Sequence, residues 1–241
     1  MQRGNEGYGL PEWLPVVDVP GPGRQRRLTV LVRYLLLVPQ FIVVLVLNIG
    51  VVFVLVVGWF GALFAGRLPQ GATRYLTNYL GYTTRVNAAA MLLVDHYPPF
   101  TLSQQDGYPV RIEVQPGTLN RWAVLFRFVL AIPAAIVAGL ATLGWYVASP
   151  ITWLVVLILG RMPRALFEAT AAVLRFNMRC SAYYYMLASA YPKKLFGDAE
   201  APEPAVSATR PLLMSTAGKV ILVLFLLLGL AYEVMNLTQR S

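Results

Sequence analysis

One feature limits this chain's fold more than any other: the sequence repeats itself at an offset of 94 residues, without a gap. Arg33 falls on Arg127, Pro39 on Pro133, Trp59 on Trp153, and Gly66-Arg67 on Gly160-Arg161. Pro69 then falls on Pro163, Arg85 on Arg179, and Tyr97-Pro98 on Tyr191-Pro192. About 24 of the 87 positions from Leu14 to Phe100 are identical in the segment from Tyr108 to Lys194. A fixed period of this kind marks a duplicated structural unit. Each copy is built around a long apolar run, so the unit is one made for a lipid environment.

Composition agrees. Of 241 residues, 57% are hydrophobic and 13% are charged, against about 25% charged in an ordinary soluble domain. The net charge is +9. A basic balance fits nucleic acid, anionic lipid or cytoplasmic loops of a membrane protein. Nearly every Arg flanks an apolar run and there is no basic tail, which argues against nucleic acid. The single cysteine, Cys180, cannot form an internal disulfide, and no metal-ligand spacing accompanies it. No cofactor or metal is expected. The first 27 residues hold no apolar h-region, so a cleaved signal peptide is not indicated.

Leu28 to Ala65 carries one charge, Arg33. As a single helix this run would be about 57 Å long at 1.5 Å per residue, against a hydrocarbon core of about 30 Å. Two spans fit if the chain turns at Asn48-Ile49-Gly50. Copy two repeats the pattern from Trp122 to Leu159, with Thr142-Leu143-Gly144 at the matching turn and a break or kink expected at Ser149-Pro150. Gly-Arg-x-Pro follows each run, at Gly66–Pro69 and Gly160–Pro163. Gly suits a helix C-cap and Pro the first turn of the next helix. The helices that follow place Arg74, Asn78, Tyr82 and Arg85, or Arg164, Glu168, Arg175 and Arg179, near one face. Apolar residues lie opposite, the pattern of a helix on a membrane surface.

These readings predict an all-α integral membrane protein. It has two parallel repeats, each a transmembrane helical hairpin plus a cytoplasmic amphipathic helix, and a C-terminal fifth transmembrane helix. The expected divisions are a flexible N-terminal segment (1–13), repeat one (14–100), a connector (101–107), repeat two (108–194), a flexible linker (195–211), and a C-terminal helix and tail (212–241). Before each hairpin a short extended piece, Leu14–Val19 or Tyr108–Val114, either pairs with its counterpart as a strand or serves as a linker. Arginines at matching places in both copies imply one orientation for both, because positive charge prefers the cytoplasm. The expected topology has the N-terminus inside and the C-terminus outside.

Two arginines, Arg33 and Arg127, lie inside apolar segments, where a charge is a functional hint by default; snorkelling is the bland alternative. Arg67, Arg74 and Arg85, with Arg161, Arg175 and Arg179, face the expected anionic leaflet. All eight are candidate lipid-headgroup contacts. Asp95-His96 is the one pair able to do acid–base chemistry, but copy two replaces it with Ser189-Ala190. No catalytic motif is visible.

Several local patterns together resemble a known family. These are Tyr108-Pro109-Val110-Arg111, Ala131-Ile132-Pro133, Pro163-Arg164-Ala165-Leu166-Phe167 and the closing Tyr97-Pro98-Pro99-Phe100. The chain is similar over roughly Leu14 to Phe196 to bacterial membrane proteins grouped as domain of unknown function 4389. It departs at Tyr191-Pro192-Lys193-Lys194, where the second closing motif loses Pro-Phe. The resemblance implies a bacterial inner membrane as the setting and supplies no activity, substrate or site residues. The leading expectation is a non-enzymatic scaffold or accessory subunit of an envelope or lipid-handling complex, with anionic lipids and other membrane proteins or a second copy as partners. One alternative is a small transporter or channel with a polar cavity lined by Gln40, Asn48 or Arg33 and Arg127. Another is a lipid-modifying enzyme centred on Asp95-His96.

Overall fold

The computed structural model describes residues 13–198 and 207–240. In chain order the elements are β1 (Val16–Asp18), α1 (Arg27–Leu31), α2 (Arg33–Ala65), α3 (Gln70–Ala90), β2 (Arg111–Glu113), α4 (Arg121–Leu125), α5 (Arg127–Leu159), α6 (Arg164–Tyr184) and α7 (Thr216–Arg240). The expected N-terminal segment before residue 13, residues 199–206 of the expected linker and residue 241 lie outside the described residues.

The protein is mostly helical, and the two repeats have the same element order. Gly66 and Gly160 end α2 and α5 in the left-handed conformation, with φ of 67° and 68°. Pro69 and Pro163 then start α3 and α6. The extended pieces pair as antiparallel strands, with Val17 opposite Ile112 and Asp18 opposite Arg111.

The expected hairpins do not form. α2 and α5 each run unbroken for 33 residues, through Asn48-Ile49-Gly50 and Thr142-Leu143-Gly144. Three helices among the described residues, α2, α5 and α7, are long and apolar enough to cross a membrane, in place of five. One glycine weakens a helix by only about 1 kcal/mol, which tertiary packing easily offsets. Here the glycines are close-approach points. A Cβ on Gly50 would collide with the Tyr75 hydroxyl, and one on Gly144 with the backbone of Phe225 in α7. Nor does Pro150 break α5. It leaves the Tyr146 carbonyl without its helical donor, and the Ser149 hydroxyl donates to that oxygen at 2.7 Å.

α3 folds back antiparallel along α2, and α6 along α5. Tyr75 donates to the Leu47 carbonyl at 2.9 Å and Tyr79 to Asn48 Oδ1 at 3.1 Å. α3 and α6 are core helices, and much of the basic face expected to meet lipid headgroups, Arg85, Arg175 and Arg179, is turned into the protein. The two helices pack on each other, and 14 of the 21 residues of α6 are buried. α7 lies along α5 and α6, with Phe225 against Gly144 and Gly229 against Leu140.

The halves are joined by matched bonds. Trp59 Nε1 donates to the Val124 carbonyl at 3.2 Å, and Trp153 Nε1 to the Val30 carbonyl at 2.8 Å. Leu119 N donates to Gly66 O at 2.9 Å, and Gln25 N to Gly160 O at 2.8 Å. Shifting by the repeat offset turns each bond into its mate. The pairing of residues 17 and 18 with 112 and 111 likewise maps onto itself. Contacts that exchange in this way define a two-fold axis, and the β pair sits astride it.

Candidate functional site

Five of the eight candidate headgroup arginines are buried: Arg33, Arg85, Arg127, Arg175 and Arg179. Their guanidiniums are bonded inside the protein, so they do not offer themselves to lipid. Arg33 Nη2 meets the Asp95 carboxylate at 2.9 Å, and its Nη1 donates to the Asp95 carbonyl at 3.2 Å. Arg127, its counterpart, has no carboxylate. It lies 4.1 Å from the centroid of the Tyr183 ring, and donates to the Tyr183 carbonyl at 2.6 Å and to the Ala188 carbonyl. Both acceptors lie where α6 ends, a position that favours a cation.

Arg85 donates to the Ser103 carbonyl at 2.9 Å and to that of Thr101. Arg179 donates to Pro15 at 3.0 Å and Lys193 at 3.1 Å, and burial brings its pKa down to about 10. Arg175 pairs with Asp198 and donates to the Lys194 carbonyl at 2.9 Å. Burial works to raise the Asp198 carboxyl, but Arg175 and the Leu212 N–H outweigh it and hold the pKa below the ordinary value. Arg67, Arg74 and Arg161 are exposed and stay available to an anionic surface.

A second acid matters, and its role was not read from the sequence. Glu168 accepts from Arg164 at 3.0 Å, and from the Ser215 N–H at 2.8 Å and hydroxyl at 2.6 Å. Ser215 Oγ in turn accepts from Gly218 N at 3.1 Å. Glu168 therefore anchors the start of α7 to α6. The described parts of the linker are tied down as well: Thr209 Oγ1 accepts from Val19 N at 2.9 Å and donates to Val17 O at 2.6 Å.

Asp95-His96 separates into a carboxylate committed to Arg33 and an exposed imidazole. Gln40 donates to the Pro98 carbonyl at 2.7 Å and accepts from Tyr82. Neither it nor Arg33 nor Arg127 lines the groove between the two long helices. That groove holds about 470 Å3 between α2 and α5, over α6; of the residues expected to line a cavity it has Asn48 alone, with Val51, Ala134, Ala138, Asn177 and Cys180 also at its border. Its image across the two-fold axis has buried Trp145 in place of Val51 and Gln40 in place of Ala134.

Duplicated helices with this much exposed apolar surface define the class: a helical membrane protein of two tandem units. The family model for domain of unknown function 4389 matches residues 27–101 and 121–195, again at the repeat offset. The chain belongs to that family, in two copies. No curated protein and no solved structure matches it.

Proposed function

We propose that the protein is a non-enzymatic scaffold or accessory subunit of a cell-envelope or lipid-handling complex in a bacterial inner membrane. The observation that carries this reading is the division of labour among its arginines. The buried five hold helices and loops together, while exposed Arg67, Arg74 and Arg161 border the apolar helices α2 and α5. A basic residue near an anionic leaflet contributes about 1 kcal/mol. Replacing Arg67, Arg74 and Arg161 by Glu should therefore weaken binding to anionic vesicles by about 100-fold or more. Purification in mild detergent, followed by identification of bound proteins and lipids, tests the scaffold role directly. A lone monomer with neither a retained partner nor anionic lipid counts against it.

A second reading, a transporter or lipid-carrying subunit, is supported by the groove between α2 and α5. Its volume of about 470 Å3 lies within the range of small-molecule pockets. The lining is mainly apolar, which suits a hydrocarbon chain better than an ion. Filling it with Ala134→Phe and Ala138→Phe should abolish co-purification of a lipid; unchanged lipid content would remove this reading.

A further inference from the structure

The two-fold axis constrains how the protein can sit in a bilayer. The last turns of α2 lie against α4, which leads into α5, and α1, which leads into α2, lies against the last turns of α5. α2 and α5 therefore run in opposite directions. A two-fold rotation preserves the component of a helix along its axis and reverses the component across it. Two helices that exchange under the rotation and run oppositely must lie across the axis.

Only two placements keep these helices in lipid. In the first, the axis lies in the membrane plane and α2 and α5 cross the bilayer. The β pair sits on the axis, so it would then lie at the depth of the helix midpoints. Arg111 and half-exposed Glu113 and Arg210 would face hydrocarbon at mid-membrane, beside open strand edges. Unpaired backbone and charge are not tolerated there. The fit is also poor: a 33-residue helix is about 50 Å long, and the hydrocarbon core is about 30 Å thick.

In the second placement, the axis stands along the bilayer normal and α2 and α5 lie in the plane of one leaflet. The β pair then faces water, on the far side of α3 and α6. Both ends of each long helix reach the same surface, where Arg27 and Arg67 flank α2 and Arg121 and Arg161 flank α5. This arrangement also satisfies the argument from repeated charge. Both copies face the same way because neither crosses, and zero is an even number of crossings. α7 is held in the same layer by its contacts along α5.

We infer that the protein is monotopic: α2, α5 and α7 form an apolar raft within one leaflet, and none of them crosses the membrane. This rests on the membrane reading of the proposed function and replaces the expectation that the C-terminus lies outside.

Single cysteines test it, introduced in the full chain with Cys180→Ala as background: Arg27→Cys, Arg67→Cys, Arg121→Cys, Arg161→Cys, Gln105→Cys and Gln239→Cys. All six positions are exposed. Sealed right-side-out and inverted membrane vesicles are treated with a membrane-impermeant maleimide. The expected result is labelling of all six from one and the same side. Labelling of Arg27→Cys and Arg67→Cys from opposite sides would overturn the proposal, as would Gln239→Cys reacting from the side opposite Gln105→Cys. Alkaline carbonate extraction of the same vesicles separates the two levels of the argument. Release of the protein would sink the membrane reading itself, whereas retention with two-sided labelling would sink only the raft.

Discussion

The Arg33–Asp95 pair gives the sharpest test of how this fold holds charge. Arg33 is nearly sealed, with 3% of its side chain exposed, while Asp95 keeps 21%. Replacing Arg33 by Met keeps the apolar stem and removes the cation. It strands a carboxylate and a carbonyl that had been bonded at 2.9 and 3.2 Å. Removing one partner of a buried pair costs about 3–5 kcal/mol. Asp95 can turn toward water, so the lower end, about 3 kcal/mol, applies. At about 2–4 °C per kcal/mol for a chain of this size, the midpoint of thermal unfolding in detergent should fall by about 6–12 °C. Asp95→Asn leaves the sealed Arg33 cation an amide acceptor but no counter-charge, and should cost about 1.5–3 kcal/mol. In the double variant no charge is stranded, so its loss should fall short of the sum of the two single losses by about 1.5 kcal/mol or more. Copy two supplies the control. Arg127→Met leaves only neutral carbonyls unbonded, and changing Ser189 should not rescue it. If Arg33→Met and Asp95→Asn add within about 0.5 kcal/mol, the pair is not coupled and the account of Arg33 fails.

Three further outcomes follow from the packing. Gly144→Ala should loosen α7 from α5, because a Cβ there runs into the Phe225 backbone; faster tryptic cleavage at Lys219 reads this out. Gly50→Ala should cost only about 1 kcal/mol, since a side chain, Tyr75, can move aside at the expense of one hydrogen bond. Trp59→Phe and Trp153→Phe each delete one of two equivalent interrepeat bonds. Each should lose about 1 kcal/mol by denaturant unfolding, and a large inequality would break the two-fold argument. Stability should also fall in acid. For Glu168, burial raises the carboxyl pKa, but Ser215 and Arg164 outweigh it and lower it below the ordinary value; Asp198 is lowered by Arg175. Groups with depressed folded pKa values contribute stability above their unfolded pKa and lose it as pH falls through the folded value. Unfolding midpoints should be level from neutral pH to about 5 and drop below about 4. Glu168→Gln should flatten part of that drop, and an unchanged acid profile would refute the assignment.

Local features of the fold were legible because local residues decide them. Gly66 and Gly160 stop helices, Pro69 and Pro163 start them, and the alternation at Tyr108–Val114 makes a strand whose partner the repeat itself identifies. What the sequence hid were decisions taken by distant partners. A glycine inside an apolar run reads equally as a turn or as a close approach, and only Tyr75 or α7 settles which. The basic stripes of α3 and α6 match a headgroup-facing helix in spacing. Apart from the Asp198 carboxylate, the acceptors of buried Arg85, Arg175 and Arg179 are backbone carbonyls of Pro15, Thr101, Ser103, Lys193 and Lys194, which no side-chain pattern reveals. One clue was present: Gly50 and Gly144 match across the copies while their neighbours Asn48 and Thr142 do not. A turn needs its polar neighbour, whereas a packing point needs only the glycine.

That clue also accounts for α7, which has no counterpart in the first copy. Gly50 and Gly144 occupy equivalent places on α2 and α5 and present the same face. In copy one the Tyr75 side chain covers that face from α3 and ties it to the Leu47 carbonyl. The equivalent of Tyr75 in copy two is Ala169, which is too short to reach. The bare strip left on α5 is covered by α7, with Phe225 at Gly144 and Gly229 at Leu140, two glycines allowing backbones to meet as they do between helices in lipid. Glu168, where copy one has Arg74, secures the first turn of that helix through Ser215. α7 therefore works as the second repeat's substitute for a tyrosine. Giving copy two an Ala169→Tyr side chain should set it in competition with α7 for the same strip.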